Sequence, residues 1–398
     1  MSSKYCPKVH DSIHFTPDGK VTMCCLQAGA NFDWPKTSDI DFNDMNAWYK
    51  NHPKFKEIRE ALHRGEKHFT CDICWDIESK GAYSKRKKEI HFREKRKRPK
   101  HNETDGLVHS VDYRISNKCN LQCKMCWPGA SDQIDNLAKE LDSKNIKHLL
   151  FKDPPVTDVG NAITKRLLDY PQLQGIQFAG GEPFVMPEVE EFLIKLAEKN
   201  YTHIAIRILT NCTTIKTSVL TALEKFNDVE IMCSIDGVKE EIEYQRYPCS
   251  WKTIDKNFTR LYNSKIKKVS LTPCISFLNF STIPEFFKWA EKFPKTHVAF
   301  NLIHNKHFLN YRFIPMENRK EMLKKFAGYS FKNNVNTGWR WFKEKGMFEY
   351  VNPTQSDCDT LYIQSQNVWD YKCKVKFLDA YPWATYMLNR AKVDLNTI

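Results

Sequence analysis

The stretch Ser116-Asn117-Lys118-Cys119-Asn120-Leu121-Gln122-Cys123-Lys124-Met125-Cys126-Trp127 decides how this chain is read. Its cysteines are four and then three positions apart, a spacing that suits three corners of a cubic iron–sulfur cluster. Cluster irons are held by four thiolates, and no fourth ligand stands close by in the sequence. One iron is therefore left open for a substrate or cofactor, much as a catalytic zinc keeps one position free. Random placement of 14 cysteines in 398 residues gives this spacing about 0.02 times per chain, so the triplet is a specific signal.

Working outward, residues 108–115 just upstream read as a strand, and strand-like runs recur at 175–179, 203–209, 229–235, 268–275 and 297–303. Helix-like runs lie between them at 187–199, 217–226 and 283–293, and 137–173 holds extra helical material. This alternation predicts an α/β architecture with parallel strands.

Several segments follow the triplet in a telling order. Gly180-Gly181-Glu182-Pro183 ends the second strand-like run, Leu209-Thr210-Asn211 the third, and Cys233-Ser234-Ile235-Asp236-Gly237 the fourth; Arg246 follows in Tyr244-Gln245-Arg246. Together with Cys119, Cys123 and Cys126, these segments resemble the radical S-adenosylmethionine (SAM) enzymes over roughly residues 107–303. The resemblance implies a partial (β/α)6 TIM-like barrel with a [4Fe-4S] cluster on the three cysteines. It also implies SAM contacts from Gly180, Gly181, Glu182 and Pro183 to the methionyl amine, from Asn211, Ser234 and Asp236 nearby, and from Arg246 to the carboxylate. These residues fall at or just after strand C-terminal ends, where barrel chemistry is expected from the fold itself. The sequence departs from the family pattern in two places: the residue before the third cysteine, usually aromatic, is Met125, and the usual small residue after Thr-Asn is Cys212. The implied chemistry is reductive cleavage of SAM to a 5′-deoxyadenosyl radical that takes hydrogen from a substrate.

The N-terminal hundred residues carry a second cysteine set: Cys6, Cys24 and the pair Cys71 and Cys74. Residues 13–23 read as a hairpin around Pro17-Asp18-Gly19, which brings Cys6 and Cys24 together across paired strands. Neighbouring strand side chains point oppositely, so Cys25 is expected to face away from Cys24. The set resembles a twitch domain, the shorter relative of the SPASM domain, which holds one auxiliary [4Fe-4S] cluster and normally follows the barrel instead of preceding it. A zinc site on the same four thiols is the alternative. The predicted organisation is thus a small N-terminal cysteine-rich α+β domain over 1–84, a basic helix or linker over 85–106, the barrel over 107–305, and an aromatic-rich helical extension over 306–398. Cys212, Cys233 and Cys274 read as small core residues, with Cys25, Cys249, Cys358 and Cys373 unassigned.

The formal charge of +13 is uneven, because residues 85–100 hold ten Lys/Arg against two Glu. Such a run is a solvated connector or an attractor of acidic partners. No apolar stretch reaches membrane-spanning length and the start lacks a secretory apolar segment, so the expected setting is the cytoplasm, where thiols stay reduced. Three functions compete: radical SAM modification of a peptide or protein, radical SAM modification of a nucleotide, sugar or nucleic acid, and a zinc-containing nucleic-acid-binding protein without catalysis. The first is favoured, since twitch and SPASM relatives often act on peptides, and it calls for a low-potential electron donor of flavodoxin or ferredoxin type.

Overall fold

The alternating apolar runs assemble, in a computed structural model of the chain, into a largely parallel sheet. The structure describes residues 4–79, 81, 83–95, 107–114, 116–150, 160–303, 308–326, 334–335, 350–372 and 376–392. Ile115, part of the extra helical section (151–159), Arg96, Lys97 and Arg98 of the basic run, and Cys373 lie outside these residues. The strands are β1 (Ser12–Phe15), β2 (Val21–Thr22), β3 (Ser110–Tyr113), β4 (Gly175–Phe178), β5 (Ala205–Thr210) and β6 (Val229–Cys233). Then come β7 (Lys268–Leu271), β8 (Cys274–Ile275), β9 (His297–Val298), β10 (Asn301–Leu302) and β11 (Asn334–Val335). Among the described residues, nine of them form one sheet in the order β11-β9-β7-β6-β5-β4-β3-β1-β2, with β8 and β10 paired separately.

Three expectations are revised. The fifth and sixth strands are each broken in two, into β7 and β8 and into β9 and β10. Pro273 stands at the first break and has no N–H to continue a ladder; its carbonyl instead accepts from Asn301 N–H at 2.9 Å. The N-terminal hairpin does form, with His14 opposite Thr22 and Phe15 opposite Val21 around Gly19 at φ 78°. It does not stand apart as a small domain, because β1 pairs in parallel with β3 from Ser12 opposite Ser110 to Phe15 opposite Tyr113 and so extends the main sheet.

Strand side chains alternate between two faces, and here the faces differ sharply. One face presents Ile13, Val111, Tyr113, Ile176, Phe178, Ile206, Ile208 and Ile231, all buried. The helix Pro187–Glu198 covers part of it with Val189, Phe192, Leu193 and Leu196, a stripe at helical spacing. Phe192 packs edge-on against Phe178 at 6.0 Å and parallel to Tyr113 at 6.4 Å. Pro187 opens that helix without losing a hydrogen bond, and Asn200, at φ 59°, turns the chain away after it.

The other, inner face carries a row of polar residues in register: His14, Asp112, Gln177, Arg207, Glu230 and Lys268. Asp112, second in the row, accepts from Gln177 Nε2 at 3.2 Å and Arg114 Nε at 3.0 Å, with His14 Nδ1 3.5 Å away. Burial raises its carboxyl, but His14, Arg114 and Lys85 outweigh this and hold it well below the usual carboxylate range.

Against this face lies the helix Lys85–Lys95, so the basic run is not merely a solvated connector. Arg93 is buried and donates twice to Asp11, at 2.6 Å each, and to Glu89 at 3.1 Å. Glu89 also feels Arg207 on β5, which with Lys8 and Arg93 overcomes burial and keeps it ionised. Breaking a buried pair strands its partner's charge, at a cost of about 3–5 kcal/mol. Arg93→Met is therefore expected to lower stability by that order in urea titration, and adding Asp11→Asn to recover part of it. Additive losses would show that the two side chains act independently.

Candidate functional site

The three-cysteine loop leaves the C-terminal end of β3, where backbone bonds fix its shape. Cys119 N–H donates to Asp132 Oδ1 at 2.8 Å, Ser131 Oγ to the Leu121 carbonyl at 2.7 Å, and Asn117 Nδ2 to the Pro128 carbonyl at 2.9 Å. From the far side, Gln122 N–H donates to the Tyr247 carbonyl at 2.6 Å and Lys124 N–H to the Gln245 carbonyl at 2.9 Å. The segment bearing Arg246 is thereby laid directly on the loop. Arg246 is buried, donates from Nε to Asp236 Oδ2 at 2.6 Å, and places Nη1 3.8 Å from Cys123 Sγ. Asp236 Oδ1 accepts from Cys274 N–H at 2.8 Å.

Burial pushes the Cys119 thiol up to about 11. Cys123 donates to Cys126, which raises the first and lowers the second, while Arg246 favours the thiolate of both. Cys123 and Arg246 are buried and Cys119 and Cys126 partly so, grouped at the C-terminal ends of the central strands.

Gly180 and Gly181 form the opposite wall. Both have positive φ, 80° and 49°, and a Cβ on Gly181 would stand 2.2 Å from the Lys118 carbonyl oxygen. Only glycine lets the two backbones approach this closely. Glu182 N–H then donates to that same carbonyl at 2.8 Å. The Glu182 carboxylate points inward and accepts from Phe184 N–H at 3.1 Å, Thr210 Oγ1 at 2.8 Å and Asn211 N–H at 2.5 Å. Pro183 is buried and starts a short 3-10 turn. Asn211 Nδ2 reaches Asn120 Oδ1 at 2.9 Å, which ties β5 to the cysteine loop. Ser234 lies just past β6, its N–H donating to the Thr210 carbonyl at 2.8 Å. Seven of the eight residues expected at a SAM site thus stand at or just beyond the ends of β4, β5 and β6, and the eighth, Arg246, follows the helix Lys239–Gln245.

Burial lifts the Glu182 carboxyl to about 7 against the three donors that favour its charge. A group whose folded value is raised binds its proton more tightly in the folded state. Its stabilising contribution is complete below the unfolded value near 4.5 and is lost as pH climbs through 7. The span corresponds to roughly 3 kcal/mol. Urea midpoints at pH 5.5 and 7.5 should fall between the two for the parent, and Glu182→Gln should flatten that fall; an unchanged slope refutes the assignment.

Cys6, Cys24, Cys71 and Cys74 line one cavity with Lys8, Gln27, Thr70, Trp75, Lys85 and Arg86, and Cys25 is not among its lining residues. Burial pushes Cys6 up to about 12, with Cys71 and Cys74 adding to the effect. Gln27 Nε2 lies 3.5 Å from Cys71 Sγ. Cys25 instead receives Lys85 Nζ at 2.7 Å and feels Asp112 and Arg114 on the inner face. The Cys24 thiol donates to Cys25, which raises Cys24 and, with help from Lys85, lowers Cys25 to about 5.

Among the described residues, no three Cys, His, Asp or Glu side chains converge as the ligands of a single ion do. A cubic cluster holds each thiolate on a different iron and needs them farther apart, so a three-thiol and a four-thiol donor set of this kind fit clusters in type. Sequence reasoning overlooked Asp132, which fixes Cys119, and Lys124. The Lys124 ammonium sits over the Tyr244 ring at 4.9 Å and the Trp369 ring at 5.9 Å, joining the C-terminal aromatic section to the cysteine loop. Cys212, Cys233 and Cys358 are fully buried.

Residues 113–290 match the family profile described as the Radical SAM superfamily. The chain is 25% identical over 230 residues to an uncharacterised protein of Methanocaldococcus jannaschii, covering 56% of this chain and 73% of that protein. It is 28% identical over 145 residues to the 7,8-dihydro-6-hydroxymethylpterin dimethyltransferase of the same organism, covering 36% of this chain and 24% of that one. With the radical SAM cyclopropyl synthase TigE of Paramaledivibacter caminithermalis it shares 25% identity over 144 residues, 36% of this chain and 30% of that one. The chain therefore spans less than a third of the latter two. Among solved structures, SuiB of Streptococcus suis bound to S-adenosylmethionine is similar at a TM-score of 0.40 and 12% identity, over 80% of this chain and 67% of that one.

Proposed function

We propose, from the premise that residues 113–290 form a radical SAM superfamily domain, that this enzyme cleaves SAM reductively and uses the product to take hydrogen from a peptide or protein. The observation that carries the reading is the three-thiol loop clasped between Gly180-Gly181 and Arg246. A [4Fe-4S] cluster with SAM bound there would supply one-electron cleavage of the sulfonium to a 5′-deoxyadenosyl radical. Cys119, Cys123 and Cys126 would hold the cluster. Gly180 and Gly181 let their turn close onto the cysteine loop and so present backbone to the methionyl end, Glu182 and Asn211 fix the strand ends around it, and Ser234 and Asp236 serve the ribose side. Arg246 offers positive charge to a carboxylate while Asp236 orients it.

In this reading residues 1–84 contribute a second site, where Cys6, Cys24, Cys71 and Cys74 hold an auxiliary [4Fe-4S] cluster, and 107–305 contribute the catalytic one. The pairing of such a site with the triplet supports a peptide or protein substrate. The likeness to a pterin dimethyltransferase favours a second reading, a fused heterocycle as substrate. A flavodoxin- or ferredoxin-type donor would supply the electron, in a reducing compartment such as the cytoplasm. No helix among the described residues is long and apolar enough to cross a membrane.

Anaerobic reconstitution followed by chromatography for 5′-deoxyadenosine tests the reaction, and added peptides against added pterins separate the two substrates by which one accelerates it. Iron and sulfide counts test the auxiliary ligands. Cys24→Ala is expected to lose about half of both and Cys25→Ala to lose neither, on the basis of two equal clusters. Equal loss in the two variants, or loss only in the second, sinks the choice of Cys24.

A further inference from the structure

We propose that Lys85 sets the reduction potential of the auxiliary cluster, raising it so that the cluster serves as an electron acceptor. The inference rests on the reading above, in which Cys6, Cys24, Cys71 and Cys74 hold that cluster. It goes beyond it by naming the residue that tunes the site.

Three cations line the cavity with the four thiols: Lys8, Lys85 and Arg86. Their charges are not equally available. Arg86 is bound to the Glu78 carboxylate by two bonds, Nε to Oε1 at 3.0 Å and Nη2 to Oε2 at 2.6 Å. Its Nη1 donates to the Tyr5 carbonyl at 2.6 Å, and the guanidinium stacks over Trp75 at 4.9 Å. The pair is close to neutral from the cavity's side. Lys8 sits 3.5 Å from Ser12 Oγ, shares its field with Glu89, and acts on Cys6 and on Cys24, on the latter less than Lys85 does. Lys85 meets a sulfur instead of a carboxylate, and part of its charge is answered by the Cys25 thiolate that it favours. Its ammonium contacts Cys25 Sγ at 2.7 Å and acts electrostatically on both Cys24 and Cys25. Its carboxylate neighbour, Asp112, is already engaged by Arg114, Gln177 and His14.

Cluster potentials follow net charge, hydrogen bonding to sulfur and burial, and groups beyond the ligands commonly set them. A cluster that accepts one electron becomes more negative by one charge. A fixed cation a few ångströms from a ligand sulfur stabilises the reduced form more than the oxidised one, and more strongly in a cavity shielded from water. Gln27 and Thr70 add neutral donors at Cys71, 3.5 and 4.0 Å from its sulfur. The cation acts instead at the Cys24 edge. Lys85 begins the helix that lies on the inner face of the sheet, so its charge stands between the auxiliary cavity and the polar row at Asp112.

The test is an anaerobic redox titration of the full chain followed by electron paramagnetic resonance. It is run in the background Cys119→Ala, Cys123→Ala, Cys126→Ala so that one signal remains. Lys85→Gln should shift the midpoint to more negative potential at full iron content, and Lys85→Arg should restore it to near the parent value. A Lys85→Gln protein with the parent midpoint overturns the inference and leaves the auxiliary cluster standing. A parent background with no remaining cluster signal overturns the auxiliary reading itself. Should Lys85→Gln fail to hold iron, Lys85→Met is titrated in its place, since it keeps most of the apolar stem. Loss of iron from both neutral variants but not from Lys85→Arg would make Lys85 an assembly requirement and refute its role in setting potential.

Discussion

Replacing Cys119, Cys123 and Cys126 together by Ala is expected to abolish 5′-deoxyadenosine formation while about half of the reconstituted iron remains. The two parts of that result have separate causes. Activity is lost because the loop after β3 then has no thiolate to hold an iron beside Arg246. Iron persists because the second thiol set lines a different cavity, on the side of the sheet edge formed by β1 and β2. Of the replaced side chains Cys123 is buried and the other two partly so, but the loop keeps its backbone anchors to Asp132, Tyr247 and Gln245. The variant should therefore fold, and circular dichroism near that of the parent checks this. Product formation by the triple variant would refute the assignment of the catalytic site.

Gly181→Ala should be almost as damaging with a single methyl group. The added Cβ would lie 2.2 Å from the Lys118 carbonyl oxygen and 2.9 Å from two backbone carbons, none of which is a flexible side-chain end. Overpacking of this kind costs about 1–3 kcal/mol, and a left-handed residue without glycine adds roughly 1–2 kcal/mol. The backbone can relieve the clash only by separating the Gly180-Gly181 turn from the cysteine loop. SAM affinity is then expected to fall by at least about 30-fold, since each 1.4 kcal/mol is tenfold. Equilibrium dialysis under anaerobic conditions measures it. Undiminished binding would mean that the ligand site does not depend on the contact between these two segments. Gly29→Ala serves as a control, because nothing lies within 4 Å of the Cβ it would add.

The parts of this site that were legible in the sequence are those specified by short spacings. The cysteine triplet and the Gly-Gly-Glu-Pro run are local patterns, and each needs only its own residues to be read. The hairpin at Gly19 was legible for the same reason. Its parallel partner was not, because β1 and β3 are 98 positions apart at the His14–Asp112 pair and nothing local encodes that pairing. The basic helix shows how a charge run misleads. Arg86, Glu89 and Arg93 recur at three and four positions, one stripe of a helix, and that stripe is the one turned toward Glu78, Arg207 and Asp11. Reading the segment by net charge hid the stripe. The polar row on the inner face was recoverable in principle, since Asp112, Gln177, Arg207 and Glu230 each interrupt an apolar strand at the alternate position.

The parallel pairing of β1 with β3 also bears on how the chain opens. Amides of Ser12–Phe15 and Ser110–Tyr113 interlock in one ladder, so neither strand can exchange its hydrogens with solvent by a motion confined to itself. Cooperative units of native exchange follow such ladders. The two thiol sites are then parts of one such unit, although the chain reaches them about a hundred residues apart. Slow exchange should extend across both strands, and stripping metal from either site should loosen amides at the other. Deleting the first eighty residues would bare the edge of β3 just where the catalytic loop begins, leaving an unpaired strand open to association with other chains.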